Sequence, residues 1–406
     1  MLAANDLVIL ALFVLGIIYL RANRLVPILY SAHSHIDPSL KRVLESFDVR
    51  PTAHATVSDV VFPPPNTPDA KLPEIKAQLT PGQLVCLVSG EDKLDSHFNL
   101  WTAFENRFGR AKACKYMPES FIIRGDGVTD DYEEFLHQKM GDNRTIYFLK
   151  NEVGSIHGIY LSNADLADVL GELSNNTAAA RNFADVMRPD LAANMRALAP
   201  DKRDSSAYTT IQKCIRRPML FKNRTFKLRL YLVFTNYQAQ TACFLHRNGL
   251  VYYAKERYNP DVASPETVLA SKRRMQKGRT SAEANRLYAP YPKTVQGLIG
   301  ALKESGHDAS SLFSSIVDLV KTFQGVAKDH LGNLLPEHST FHLYNIDVVV
   351  DQNLRPYLLK FNRATPPDKP TTIEEIVHRQ AWEDALKIHR FVLDDRPSGF
   401  TRVGAE

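Results

Sequence analysis

The stretch YNIDVVVDQNLRPYLLKFN, residues 344–362, predicts a β-hairpin near the end of the chain. Two apolar runs rich in branched residues flank Asp-Gln-Asn at residues 351–353, and these residue types favour turns. The first run carries one acidic residue, Asp347, and the second ends in polar residues. Because side chains alternate between the two faces of a strand, the polar residues of both runs should meet on one face.

A tight two-residue turn would place Asp347 opposite Leu358 and Asn345 opposite Lys360. Asp347, Lys360 and Asn362 would then share a face, with Lys360 diagonal to Asp347. One interpretation is a cross-strand ion pair, which contributes well under ~1 kcal/mol to stability. The other is a cation site in which Asp347 and Asn362 supply hard oxygen ligands.

Two other strand-like runs carry basic residues. In NRTFKLRLYLVF, residues 223–234, the leucines and Phe234 form one face, while Lys227, Arg229 and Tyr231 form the other. An arginine among apolar strand residues needs a partner, and a phosphate or a structural carboxylate would serve equally. A further lysine ends the run TIYFLK and precedes a glycine-containing loop, as in a phosphate contact, although a solvated lysine gives the same pattern.

The composition is that of a globular protein. The 406 residues include 44% hydrophobic and 23% charged residues, and the net charge is +5. This mild, dispersed positive charge allows acidic partners but gives no reason to expect nucleic-acid binding. Strand-like runs follow one another without intervening helices, which predicts an α+β or mixed α/β fold with largely antiparallel sheets.

The N-terminus contains fourteen apolar residues in a row, LVILALFVLGIIYL at 7–20, followed by Arg21 and Arg24. We expect a single N-terminal transmembrane helix within residues 1–24 that contacts the bilayer through residues 2–20. The arginines then predict a catalytic domain that faces the cytosol. A cleaved signal peptide and a buried core helix are the alternatives. The proline-rich residues 25–80 resemble a tether.

Several motifs, in order, resemble the tubulin–tyrosine ligase-like family of the ATP-grasp superfamily. They are KYMPESFII, YFLKNEVGSIHGIYL, IQKCIRRPMLFKNRTFKLRLYLVF, HRNGLVYYAKERY and the closing hairpin. The resemblance as a whole extends from about residue 85 to 385. The resemblance implies an ATP-grasp fold and an ATP-dependent carboxylate–amine ligase. Such an enzyme adds an amino acid to an acidic protein tail, such as that of tubulin.

The resemblance also implies roles for individual residues. Lys150 would contact ATP phosphates and Arg229 a phosphate or acyl phosphate, and both would be catalytic. Asp347 and Asn362 would bind Mg²⁺. The cofactor-binding set would include the segment beside adenine and a lysine on the Arg229 strand: Gln212, Lys213, Cys214, Ile215 and Lys227.

Several positions depart from the family pattern, among them three in the predicted site. Lys360 stands where the family has a metal-binding glutamate, Lys227 where it has an aspartate, and Cys214 where it has a tyrosine. These changes leave open an alternative, a catalytically impaired protein of the same fold that binds a nucleotide or a partner. The predicted domains are a small α/β domain at 81–130, a central domain at 131–210, a C-terminal domain at 211–395 and a tail at 396–406.

Overall fold

The computed structural model describes most of the chain beyond residue 27. The described residues are 28–32, 36–64, 71–122, 131, 135, 145–151, 160–161, 208–237, 240–260, 264–332, 335, 337–366, 370–389 and 398–403.

The described part contains fourteen strands in two sheets. The strands are β1 (Leu29–Ala32), β2 (Arg50–Pro51), β3 (Val60–Phe62), β4 (Leu84–Val85), β5 (Ser120–Ile122), β6 (Tyr147–Asn151), β7 (Tyr160–Leu161), β8 (Tyr208–Lys213), β9 (Leu220–Phe221), β10 (Arg224–Tyr237), β11 (Gln240–Tyr253), β12 (Ser339–Val350), β13 (Pro356–Arg363) and β14 (Phe400–Val403).

Helices connect and cover the strands. They are α1 (Pro38–Ser46), α2 (Leu72–Lys76), α3 (His97–Phe108), α4 (Arg110–Ala113), α5 (Pro265–Val268), α6 (Lys272–Gln276), α7 (Ser281–Leu287), α8 (Val295–Glu304), α9 (Leu312–Ala327) and α10 (Thr372–Ile388). Short 3₁₀ turns lie at Ala55–Val57, Glu91–Lys93 and Ala309–Ser311.

The larger sheet has ten strands and is mostly antiparallel. Its order is β14-β11-β10-β12-β4-β3-β1-β2, with β13 paired to β12 and β9 paired to β10. The pairs β14–β11, β11–β10, β10–β12 and β12–β13 are antiparallel. The pairs β12–β4, β4–β3, β3–β1 and β1–β2 are parallel. The predicted mixed α/β fold with largely antiparallel sheets is therefore confirmed.

Two hydrophobic cores cover the two faces of this sheet, as the alternation in β10 predicts. Leu228, Leu230 and Phe234 point into a core that also contains the buried faces of α3, α8 and α9. Tyr231 and Val233 point into the opposite core, which includes apolar residues of α1 and α10. Long strands such as β10 are stable because both faces exclude water.

The smaller sheet has the order β5-β8-β6-β7, and all of its pairs are antiparallel. It brings Lys150 of β6 next to Gln212 of β8. The pairing of β5 with β8 crosses the expected domain boundaries near residues 130 and 210, and β4 joins the large sheet across them as well. Most of the expected central domain lies outside the described residues.

The expectation of a proline-rich tether at 25–80 does not agree with the described part of that range. β1 and β3 are central strands of the parallel half of the large sheet, and Val60 and Val61 are completely buried. Asp37 also accepts hydrogen bonds from His378 and Trp382 of α10, at 2.6 and 3.1 Å. The proline-rich composition is local, whereas the buried valines and these long-range contacts hold the segment in the fold.

The predicted membrane localisation, with a single-pass anchor and a cytosol-facing catalytic domain, is corrected by the structure. Within the described residues, no helix has both the length and the apolar character needed to cross a bilayer. The predicted anchor at 1–24 lies outside the described residues.

Candidate functional site

The β12–β13 hairpin forms as predicted, but its register differs from the predicted one. Asp347 pairs directly with Lys360, and Asn345 pairs with Asn362. The register shifts between Asp347 and Val348, because Val348 already pairs with Leu358. Leu359 is therefore the extra residue of a β-bulge. The turn end is also shifted by one residue, since Val350 pairs with Pro356, and the two shifts together place Lys360 directly opposite Asp347 instead of diagonal to it.

Asp347 is the centre of a buried ion cluster. The residue lies on β12 and is only 2% exposed. Lys227 Nζ donates to Asp347 Oδ2 at 2.7 Å, and Arg229 donates from Nε to Oδ1 at 2.9 Å and from its terminal nitrogen to Oδ2 at 3.1 Å. Arg229 is also the residue directly across from Asp347 in the β10–β12 pairing. The carboxylate is thus the partner that this partly buried arginine requires.

The pKa values in this cluster follow from burial and charge. Burial alone would raise the pKa of Asp347, but Arg229 and Lys227 outweigh it and hold that pKa well below its usual value. Burial lowers the pKa of Lys227 despite the attraction of Asp347. Burial also lowers the pKa of Lys360, and the negative charges of Asp347 and Asp95 partly offset this decrease. The pKa of Arg229 is raised, chiefly by Asp347.

The smaller sheet contributes a fourth cation. Lys150 Nζ donates to Gln212 Oε1 at 2.6 Å. Burial, together with the positive charges of Lys360 and Lys227, lowers the pKa of Lys150 to about 7. Near neutral pH this lysine therefore changes its charge easily, and an anion close to it would favour the protonated form.

His97 at the start of α3 joins the two sheets. Its Nε2 lies 2.8 Å from Gln212 Nε2 and 3.1 Å from the Ser120 hydroxyl, both on the smaller sheet. Its Nδ1 lies 3.3 Å from the carbonyl oxygen of Leu359, the bulge residue of the larger sheet. Burial and the nearby lysines hold the pKa of His97 well below its usual value, so the ring is neutral.

A cleft between the two sheets contains most of the predicted site residues. Four lysines and one acid line it, Lys150, Lys213, Lys227, Lys360 and Asp347. Its apolar walls come from both sheets and include Pro118, Phe148, Ile215, Phe226, Val349 and Leu359. A cleft lined by both cationic and apolar side chains suits a ligand that is both anionic and aromatic.

The predicted adenine segment lies along this cleft. Strand β8 ends in Gln212 and Lys213, which Cys214 and Ile215 follow. All four residues line the cleft. Lys213 Nζ lies 3.5 Å from a carboxylate oxygen of Glu119. Burial raises the pKa of the Cys214 thiol to about 12, which keeps it protonated and unreactive at neutral pH.

The site does not fit a magnesium ion. Among the described lining residues Asp347 is the only carboxylate, and both of its oxygens already accept hydrogen bonds from cations. An ammonium about 4 Å from a dication would be repelled by about 8 kcal/mol at an effective dielectric of ~20, before the lysine relaxes. In the described ranges no three His, Cys, Asp or Glu residues are grouped to hold a metal.

Asparagine oxygens do not change this conclusion. Asn362 pairs with Asn345, two residue pairs along the hairpin from Asp347 and Lys360. Asn345 Nδ2 donates to the Arg363 carbonyl at 3.2 Å, and its Oδ1 has no hydrogen-bond partner within the described part of the chain. An amide oxygen is neutral and cannot offset the surrounding positive charge.

Sequence reasoning did not identify His97 or Leu359 as site residues. His97 lies far from the other motifs in sequence, and a single histidine at a helix start has no distinctive spacing. The bulge has no glycine to mark it. The only signal was the Leu358-Leu359 pair, which breaks the alternation of apolar and polar residues in β13.

Comparison with known proteins agrees with the motifs. Residues 96–398 match the model of the tubulin-tyrosine ligase family. A tubulin polyglutamylase of Mus musculus is 24% identical over 226 residues, which cover 51% of this chain and 24% of that protein. A tubulin monoglutamylase of Mus musculus is 23% identical over 193 residues, covering 45% of this chain and 16% of that protein.

A probable beta-tubulin polyglutamylase of Tetrahymena thermophila is 20% identical over 203 residues, covering 46% of this chain and 17% of that protein. The matched region thus spans at most about a quarter of the length of these three relatives. The family match covers most of the chain, including the residues that line the cleft and the ion cluster. The chain belongs to the tubulin-tyrosine ligase family.

Proposed function

We propose that the protein is an ATP-dependent carboxylate–amine ligase that adds an amino acid to an acidic protein tail such as that of tubulin. The observation that carries this proposal is the convergence of four lysines, Lys150, Lys213, Lys227 and Lys360, on one cleft between two sheets, with Arg229 bound beside them to Asp347. Family membership and the glutamylase relatives support the same reaction class.

In this proposal the nucleotide lies along the cleft. Adenine packs between apolar walls such as Phe148 and Ile215, beside the segment that begins at Gln212. The phosphates then extend toward Lys150, Lys227 and Lys360. Hydrogen-bond donors and fixed charges at the phosphates stabilise the negative charge that develops during phosphoryl transfer.

The proposed reaction has two steps. A carboxylate oxygen of the acidic tail attacks the γ-phosphorus, the bond to the ADP oxygen breaks, and an acyl phosphate forms. The amine of the incoming amino acid then attacks the acyl carbon, inorganic phosphate leaves, and the amine loses a proton. Arg229 is the proposed contact for the acyl phosphate, because its guanidinium has five N–H donors and binds Asp347 through only two of its three nitrogens.

A second candidate function is supported by one observation, the lysine opposite Asp347. In this alternative the protein keeps the nucleotide or partner site of the family but has lost catalysis. Both candidates require nucleotide or partner binding in the cleft, and only the first requires turnover.

The experiment that separates them follows product formation with the full chain. ATP, an acidic tubulin-tail peptide and an amino acid are mixed, and ADP release and peptide mass are measured with and without Mg²⁺. Glutamate is the first amino acid to test, because the relatives are named as glutamylases. The ligase proposal predicts ADP release that depends on both the peptide and the amino acid, together with a peptide heavier by one residue.

Arg229→Lys provides the matched variant, since it keeps the charge and loses the two-pronged contact. It should lower turnover by about 100-fold or more if Arg229 stabilises the transferring group. Nucleotide binding without any turnover would favour the second candidate. Absence of ATP binding in every condition would overturn the ligase proposal.

A further inference from the structure

We infer that the cleft takes its nucleotide without a magnesium ion, with Lys360 supplying positive charge where a metal would otherwise be needed. This inference rests on the proposed nucleotide site and specifies the form of the ligand, a metal-free nucleoside triphosphate. It follows from the charge balance of the cleft and from the contacts that Asp347 already makes.

The first argument is charge. Lys150, Lys227, Arg229 and Lys360 surround Asp347, so four cations face one carboxylate. Asp95 acts on Lys360 from outside this group. A nucleoside triphosphate without metal carries more negative charge than its magnesium complex. The cleft therefore matches the free triphosphate better, and direct lysine contacts can neutralise its phosphates.

The second argument is geometry. Asp347 accepts three hydrogen bonds, one from Lys227 and two from Arg229, and is nearly inaccessible to solvent. Binding a dication to it would require breaking contacts in a buried ion cluster, which is costly. Lys360, by contrast, is paired across from Asp347 and its side chain lines the cleft. The side chain at position 360, which could contact a phosphate in the cleft, is thus an ammonium group.

The test measures binding rather than catalysis. ATP and inorganic tripolyphosphate are titrated into the full-length protein by calorimetry, once in excess EDTA and once in saturating Mg²⁺. We expect both ligands to bind in EDTA. For each ligand, the affinity in EDTA should be tighter than that in Mg²⁺ or equal to it within about threefold. Tripolyphosphate tests the charge match alone, because it lacks adenine.

Two variants of Lys360 sharpen the test. Lys360→Glu should make ATP binding depend on metal, with affinity at least about tenfold tighter in Mg²⁺ than in EDTA. Lys360→Met removes the charge without adding a carboxylate, so it should weaken binding in EDTA and create no dependence on metal. Lys321→Glu, the same reversal at an exposed position of α9, is the control and should behave like the wild type.

The outcomes distinguish this inference from the proposed function. ATP binding that occurs only with Mg²⁺ would overturn the inference and leave the nucleotide site intact. Binding in neither condition would overturn both. Circular dichroism shows whether Lys360→Glu is folded. If that variant unfolds, Lys360→Met alone tests the inference. Unchanged affinity of Lys360→Met in EDTA would then show that Lys360 does not contact the phosphates.

Discussion

Lys360 lies directly opposite Asp347 across the β12–β13 hairpin. The carboxylate of Asp347 already binds Lys227 and Arg229. Asp347 therefore compensates Lys227 and Arg229 directly, and it compensates Lys360 together with Asp95. The arrangement has consequences for stability as well as for binding, because an uncompensated charge inside a protein is far more costly than a lost surface ion pair.

Asp347→Asn should destabilise the fold. The substitution preserves the side-chain shape but removes the negative charge that offsets Lys227 and Arg229. We expect the free energy of unfolding, measured by urea denaturation, to fall by about 3–5 kcal/mol. Adding Lys227→Met to this variant should restore part of the loss, since one buried charge is then removed. A loss below about 1 kcal/mol for the single variant would contradict the proposed balance.

Nucleotide binding should take up a proton above neutral pH. The pKa of Lys150 is lowered to about 7, so at pH 8 the ligand-free lysine is mostly neutral. A bound polyphosphate favours the charged form, and binding should therefore draw in up to about one proton. Calorimetry at pH 8 in buffers of different ionisation enthalpy measures this uptake.

The proton uptake should shrink as the pH falls below 7, where Lys150 is already charged before binding. Lys150→Met should abolish the uptake, while Lys303→Met, at an exposed position of α8, should leave it unchanged. Equal heats in all buffers for the wild type would show that Lys150 does not titrate on binding.

His97 should make the protein less stable in mild acid. Burial keeps its folded-state pKa well below 6.5, so the unfolded chain takes up a proton that the folded chain excludes. Stability is therefore lost as the pH falls through about 6.5, by up to about 1.4 kcal/mol per pH unit for this one group.

Substitution of His97 separates this pH effect from its hydrogen bonds. His97→Asn should lower the free energy of unfolding at pH 7 by about 1–3 kcal/mol, because buried partners such as Gln212 lose a contact. It should also flatten the pH dependence between 6.5 and 5. His307→Asn, at an exposed site, should change neither quantity. An unaltered pH slope in His97→Asn would refute the assignment.

Asp37 should connect the N-terminal strands to the rest of the fold. Its carboxylate accepts from His378 and Trp382 of α10 and also from the Ser39 backbone at the start of α1. Asp37→Ala should lower the free energy of unfolding by about 2–4 kcal/mol, from lost buried hydrogen bonds and a lost helix cap. Asp37→Asn keeps a capping oxygen and should cost less. Equal stability of Asp37→Ala and the wild type would show that the contacts of Asp37 with α10 do not stabilise the fold.

Local pattern was sufficient to predict much of the fold. Alternation in β10 assigned Leu228 to one core and Lys227 and Arg229 to the opposite face, and the hairpin followed from two apolar runs around a turn. The order of motifs led to the family. These features depend on residues close together in sequence, where the strand period determines which side chains share a face.

Other features depend on contacts that no local pattern contains. The sequence left open whether Arg229 faces a phosphate or a carboxylate, and the carboxylate proved to be Asp347, more than a hundred residues away. The segment around β1 was predicted as a tether because its prolines are visible locally, whereas its contact with α10 is not. Likewise, His97 enters the site from a helix whose own sequence gives no indication of it.

The bulge at Leu359 also affects how this strand can be compared with others. One extra residue lies between Leu358 and Lys360, so the two halves of β13 are out of phase with each other. A gapless alignment with a strand that lacks the bulge would be correct on one side of Leu359 and would exchange core and cleft positions on the other. Whether a given chain has a lysine or an acid at this site can therefore be read only after a one-residue gap has been considered at Leu359.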